Sequence, residues 1–262
     1  MTRRWIAQRV LTGLCLLMVL QWIAGCSSSD TIQSAESSSR GRPRSAPAML
    51  LADAPAARAY FDWTLGAIAR NQANLPAITK AAQAAAIPLI DGKELAVRGN
   101  GLNIELGGRA GGFYFYKGRT GQPGDVALLA ISSQPVTQPD LKAHLRASVN
   151  EIRQFKDEGS LVIVIASFAQ LQKHGLLEEV RQLADHLLDN FAPADDGLFT
   201  AADGKPIVPT LPVANAITAW AWQAELFAAM TRDGRTPAMY QSVAIPGARE
   251  RNAALGKIRF HS

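Results

Sequence analysis

Two aliphatic runs that do not alternate with polar residues, Asp125 to Ser132 (DVALLAIS) and Leu161 to Ser167 (LVIVIAS), flank a stretch from Asp140 to Asp157 with a helical apolar period. Continuous aliphatic runs of this length fit parallel strands covered on both faces. Between them Leu141, Leu145, Val149, Ile152 and Phe155 make one stripe, while Lys142, Arg146, Glu151, Arg153 and Lys156 fall elsewhere, and Gly159 ends the helix. The three pieces form a βαβ unit, because parallel neighbours need such a crossover. An α/β fold class follows.

The pattern extends in both directions. Ala56 to about Ala86 predicts two helices, the first with Tyr60, Phe61, Leu65 and Ile68 at helical spacing, the second with Ile78 and a long alanine face, and with Pro76 in its first turn. Both are expected against the main sheet or a second subunit, with Tyr60 and Trp63 in the core or an interface. Glu94 to Arg98 is a first strand that runs into Gly99-Asn100-Gly101, and the aromatic run Phe113 to Tyr116 is a strand or wall segment. After the βαβ unit come Phe168 to His174, a helix over Leu176–Leu183, and a short strand Leu187-Leu188 behind His186. Val213 to Met230 is a nearly apolar helix whose polar positions are Asn215, Gln223 and Glu225. Such a helix is buried, against the sheet and a dimer mate.

The N-terminus changes the picture of charge and thiols. Arg3, Arg4 and Arg9 precede the apolar stretch Val10 to Leu20, and the segment closes in Ile23-Ala-Gly-Cys26. This is a signal peptide by its basic start and short apolar core, and its ending resembles the bacterial lipobox, which implies acylation of Cys26; by the same resemblance Ser27 points to the outer membrane, facing the periplasm. Residues 27–48 are Ser-, Arg- and Pro-rich and read as a disordered tether. The domain spans 49–262, about 210 residues, enough for a real core. Processing discards Cys15 and blocks Cys26, leaving neither a disulfide framework nor a thiol nucleophile. It also reduces 27 basic residues to 24 against 22 acidic, so the net charge falls from +5 to +2. Without a basic stripe interleaved with aromatics, no nucleic-acid partner is expected.

Candidate chemistry lies where strands end, since ligands in open α/β sheets sit outside the carboxyl ends of the strands. Ser132, Ser133 and Thr137 open a hydroxyl-rich loop that leads into a helix; they either cradle a phosphate or sugar hydroxyl, or act as turn and N-cap residues. The glycines after Arg98 allow close backbone approach. Ser167 begins another loop on the same side, and Asp189-Asn190 and Asp195-Asp196 gather Asx residues near a strand end. His174 and Glu178, spaced four apart, suit an acid/base pair on one helical face or a solvated helix start. His144 and His261 read as incidental. No spacing reads as a metal site, and no cofactor is expected.

Four segments in order resemble one family. Glu105-Leu-Gly-Gly-Arg-Ala-Gly-Gly112 is similar to the Glu-Leu-x-x-Arg-Ala-Gly-Gly signature of SIS (sugar isomerase) phosphosugar-binding domains, in a branch of bacterial proteins. Gly124-Asp125 with the strand to Ser132 resembles the second family strand and its hydroxyl loop. Leu188-Asp-Asn-Phe-Ala-Pro-Ala-Asp-Asp196 and Gln241 to Asn252 resemble the later segments. The resemblance covers roughly 50 to 262. It implies a three-layer, doubly wound, flavodoxin-like sheet of about five parallel strands with helices on both faces, a homodimer, and a sugar or sugar-phosphate ligand. The resemblance and the strand-end loops together give a candidate ligand-binding set of Gly99, Asn100, Gly101, Arg109, Ser132, Ser133, Thr137, Ser167, Asp189, Asn190 and Asn252, with Thr137 and Ser167 read from their loop positions, and with Glu105 as a base if proton transfer is catalysed. The chain also departs from the family: Gly99-Asn-Gly-Leu-Asn103 lacks a hydroxyl and a histidine, Ser132-Ser-Gln-Pro135 replaces Ser-x-Ser-Gly, and Asp195 stands for a glycine.

These features lead to a lipid-anchored envelope protein whose SIS-like domain binds a carbohydrate derivative. The alternatives are a cofactor-free aldose/ketose-type isomerase or lyase, and a structural envelope protein with a vestigial pocket.

Overall fold

The computed structural model describes residues 55–99, 101–117, 122–131, 141–255 and 258–261. All of them belong to one compact unit, which begins at Asp53. The expected signal peptide, Cys26, the tether, and Asn100, Ser132, Ser133 and Thr137 lie outside the described residues.

Helices α1 (Pro55–Ala73) and α2 (Leu75–Ile90) lead into strand β1 (Leu95–Arg98), followed by α3 (Leu102–Gly107) and β2 (Tyr116–Lys117). The βαβ unit is β3 (Val126–Ala130), α4 (Leu141–Asp157) and β4 (Leu161–Ala166). Then come α5 (Phe168–Lys173), α6 (Leu177–Leu183), β5 (His186–Asp189), the small pair β6 (Phe199–Thr200) and β7 (Pro206–Ile207), α7 (Leu211–Arg232) and α8 (Ala248–Leu255). Strands β1, β3, β4 and β5 form a parallel four-stranded sheet, and the two-residue β2 pairs in parallel with the outer side of β1, giving the order β2-β1-β3-β4-β5.

The aliphatic runs fail to alternate because both faces of the sheet are covered. Leu95, Val97, Val126, Leu128, Ala130, Ile163, Ile165 and Leu188 face α2 and α7. The intervening Ala96, Ala127, Leu129, Ile131, Val162, Val164 and Ala166 face α4 and α6. Leu145, Val149, Ile152 and Phe155 bury the α4 stripe, as its periodicity predicts, and Gly159 ends the turn after it at φ +79°.

Alanines set the other layer. Ala81, Ala82, Ala85 and Ala86 are fully buried or nearly so, which lets α2 lie close against α7. Helix α2 runs four residues beyond the expected end, to Ile90, through Pro88. The long helix expected over Val213 to Met230 is α7; Leu211, Ala214, Ala219, Trp222, Leu226 and Met230 are buried within this one chain, so its apolar character requires no dimer mate.

Helix α1 behaves differently. Its buried residues are Ala67 and Asn71, with Trp63 packed on Ala192, Leu211 and Ala214. The stripe read from its spacing points to solvent: Phe61 is 67% exposed, Leu65 64% and Ile68 41%.

Candidate ligand-binding site

The chain leaves β1 for β2 on one side and later returns to β3 on the other. The carboxyl ends of β1 and β3 therefore mark the place where the connections diverge, the general location of ligand crevices in such sheets. Gly99 ends β1 at φ +87°, and a Cβ built there would sit 1.9 Å from the Ala130 carbonyl oxygen. Only glycine lets the two strand ends come this close. Gly101 follows at φ +74° and starts α3, with open space where a side chain would stand.

A small cavity opens beside this junction. It encloses about 190 Å³ and is lined by Arg98, Gly99, Ile131, His144, Ser148 and Glu151, among others. The β2–β3 connection is shorter than the dozen or so residues of a crossover helix, and among the described residues no crossover helix covers β1 on the α4 side. Arg98, on the same side of β1 as Ala96, reaches across instead, its Nε donating to Glu151 Oε1 at 2.9 Å. His144, Ser148 and Glu151 are spaced four and three apart and form a polar ridge on α4, next to its buried stripe. Ser148 Oγ donates to the His144 carbonyl at 3.3 Å. A guanidinium, an imidazole, a hydroxyl and a carboxylate thus border one space. Together they can donate to and accept from a small polyhydroxylated or anionic molecule, and the volume, below the roughly 300–1,000 Å³ of drug-sized sites, suits a single small one. The sequence reading sets His144 aside as incidental; the fold places it on the lining of this cavity, four residues before Ser148 and seven before Glu151.

Other residues assigned to ligand binding have partners inside the fold. Ser167 is buried; its Oγ caps α5 by accepting from Gln170 N at 3.1 Å and donates to the Ala192 carbonyl at 2.6 Å. Asp189 Oδ1 accepts from Phe168 N (3.2 Å) and Phe191 N (3.0 Å), tying β5 to α5. Burial raises its pKa, partly offset by those two backbone donors and by Arg70. Asn190 is fully buried: Nδ2 donates to Asn215 Oδ1 at 2.6 Å and Oδ1 accepts from Ala192 N at 2.9 Å. Asn215 Nδ2 in turn donates to the Ile131 carbonyl at 3.3 Å. This chain of amides fixes the end of β3, beside the cavity, to β5 and α7. Asn252 clamps Gln241 through bonds to its N–H (3.0 Å) and carbonyl (2.8 Å), and its own carbonyl accepts from the Tyr114 hydroxyl.

The Glu105 carboxylate is held at both oxygens. Oε2 pairs with Arg109 Nε at 2.6 Å, and Oε1 accepts from Trp220 Nε1 at 3.1 Å. The Glu105 side chain thus pins α3 to α7. Asp196 Oδ1 caps the start of α7, accepting from Leu211 N at 2.6 Å and Thr210 N at 3.0 Å, while Asp195 pairs with Lys173. His174 and Glu178 do not share a helix: His174 closes α5, Gly175 turns the chain at φ +69°, and Glu178 pairs with Arg181 on α6.

Among the described residues there is no group of three or more His, Cys, Asp or Glu that could hold a metal, and no helix long and apolar enough to cross a membrane. No protein-family model matches the chain, and no curated protein matches it.

Proposed function

We propose that residues 49–262 form a doubly wound, SIS-like domain of five parallel strands that binds a sugar or sugar phosphate at the β1/β3 edge, and that Cys26 holds it by lipid to the bacterial envelope. The observation that carries this reading is the polar cavity at the carboxyl ends of the two strands where the connections diverge, lined by Arg98, His144, Ser148 and Glu151. Strand order β2-β1-β3-β4-β5 is that of flavodoxin-like sheets, and it supports the doubly wound assignment. Ser132 and Ser133 come next in sequence after Ile131, which lines the cavity. Binding is favoured over isomerisation because both Glu105 oxygens are engaged, by Arg109 and by Trp220.

A thermal-shift panel of sugar phosphates, free sugars and peptidoglycan fragments on the full chain in detergent tests this, since a ligand specific to the folded state raises the melting temperature. The expected result is stabilisation by a carbohydrate derivative that is weakened in Arg98→Gln and in Ser132→Ala/Ser133→Ala. A flat response across the panel refutes carbohydrate binding and favours a structural role.

A further inference from the structure

Among the described residues, the stripe on α1 is an apolar surface that the fold leaves uncovered. Phe61, Leu65 and Ile68 are spaced four and three apart and are 67%, 64% and 41% exposed, so they stand in one line along the helix. Beside them runs a groove of about 300 Å³ between α1 and the β6–β7 pair, lined by Ala56, Ala57, Tyr60, Phe61, Phe199 and Val208. Ile207 and Val208 extend the same surface and are themselves exposed. Arg58 and Asp62 flank the stripe on one side. Contiguous apolar surface of this kind marks a contact with another phase or molecule rather than scattered surface hydrophobes.

We propose that this face of α1, with the β6–β7 pair, lies on the lipid bilayer that anchors the chain, Phe61, Leu65 and Ile68 entering the headgroup boundary and the groove receiving an acyl chain. The inference rests on acylation of Cys26. From that cysteine, 28 residues (27–54) lead to Pro55, the first residue of α1. However they are arranged, they span at most about 100 Å, which keeps α1 at an effective concentration near the bilayer of roughly millimolar order. At that concentration a weak interfacial contact is populated, as a second attachment beside a lipid chain. A free partner of this chain has no such advantage. The orientation leaves the polar α4 ridge, on the sheet face opposite α2 and α7, free to meet a soluble ligand.

The test uses the full chain expressed with its own leader, purified and returned to vesicles of phosphatidylethanolamine and phosphatidylglycerol. Intact mass reports whether Cys26 is acylated. An environment-sensitive thiol dye is then placed at Leu65→Cys, and, as a control, at the exposed Lys142→Cys on α4. The expected result is a shift of the position-65 dye to shorter wavelength and quenching by acyl-brominated lipid, consistent with a depth of about 5–10 Å, with no change at position 142. An acylated chain whose position-65 dye stays aqueous overturns the proposal. So does a dye whose shift vanishes when vesicles are diluted in lipid, because then a second copy covers the face. An unacylated Cys26 overturns the anchor itself, and the docking with it, and is read separately in the mass spectrum.

Discussion

Replacing Gly99 by Ala tests the geometry that makes the β1/β3 junction. The added Cβ would stand 1.9 Å from the Ala130 carbonyl oxygen and 2.9 Å from its carbon, and both are backbone atoms of a paired strand. No rotamer change relieves such a contact, so the two strand ends must separate. The φ of +87° adds strain for any residue with a Cβ. Overpacking of about 1–3 kcal/mol together with about 1–2 kcal/mol of backbone strain gives roughly 2–5 kcal/mol. For a domain of this size that lowers Tm by about 4–20 °C. Gly101→Ala is the internal control: its φ is also positive, at +74°, but a Cβ there meets nothing within 4 Å, so only the strain of about 1–2 kcal/mol applies. Urea unfolding followed by circular dichroism on both variants measures the difference. Equal destabilisation of the two refutes the close approach of β1 and β3, and with it the shape of the cavity.

Asn190→Ala leaves the buried Asn215 Oδ1 and Ala192 N–H without partners and is expected to cost about 3 kcal/mol; the double variant with Asn215→Ala should cost less than the sum, which a double-mutant cycle reads directly. Asp196→Ala removes the cap on α7 that accepts from Leu211 N and Thr210 N, and should lower stability by about 1–2 kcal/mol in denaturant titration. Burial lowers the pKa of His186 from 6.5, with Lys80 adding to the shift and Asp185 opposing it. The unfolded chain therefore binds the proton more tightly, so this contribution to stability is present above the unfolded pKa and is lost as pH falls through it. In His186→Gln the loss between about pH 7.5 and pH 5 should shrink, and urea midpoints at the two pH values check it.

The architecture was legible where composition leaves one physical solution. A run such as Leu161 to Ala166, apolar at every position, has to be covered on both faces, and β4 lies within one residue of the expected strand. Periodicity identified the apolar line on α1 but not its direction, because what α1 buries is Ala67 and Asn71, and Asn71 Oδ1 accepts from the Thr218 hydroxyl at 2.9 Å. A hydrogen bond between residues so distant in the chain has no local signal. The same holds at the site. Ser167, Asp189 and Asn190 stand at strand ends, as expected, yet each is occupied by backbone or amide partners supplied by α5, α7 and the loop after β5. Helix α3 was not anticipated, since glycines at 99, 101, 107 and 108 read as loop, whereas Gly101 N-caps the short turn and Glu105 pins it to Trp220. His174 and Glu178 fitted a helical spacing that Gly175 interrupts.

The proposed ligand, a carbohydrate derivative, occupies the cavity beside Arg98. Amide chemical-shift mapping of the isotope-labelled chain, titrated with the panel compound that stabilises it most, tests this directly. Binding in this cavity predicts saturable shifts centred on Gly99, Ile131, His144 and Ser148, which line it, with little change at Asn252 or at the Phe61 stripe. Shifts centred elsewhere, or none with any sugar or sugar phosphate, would contradict it.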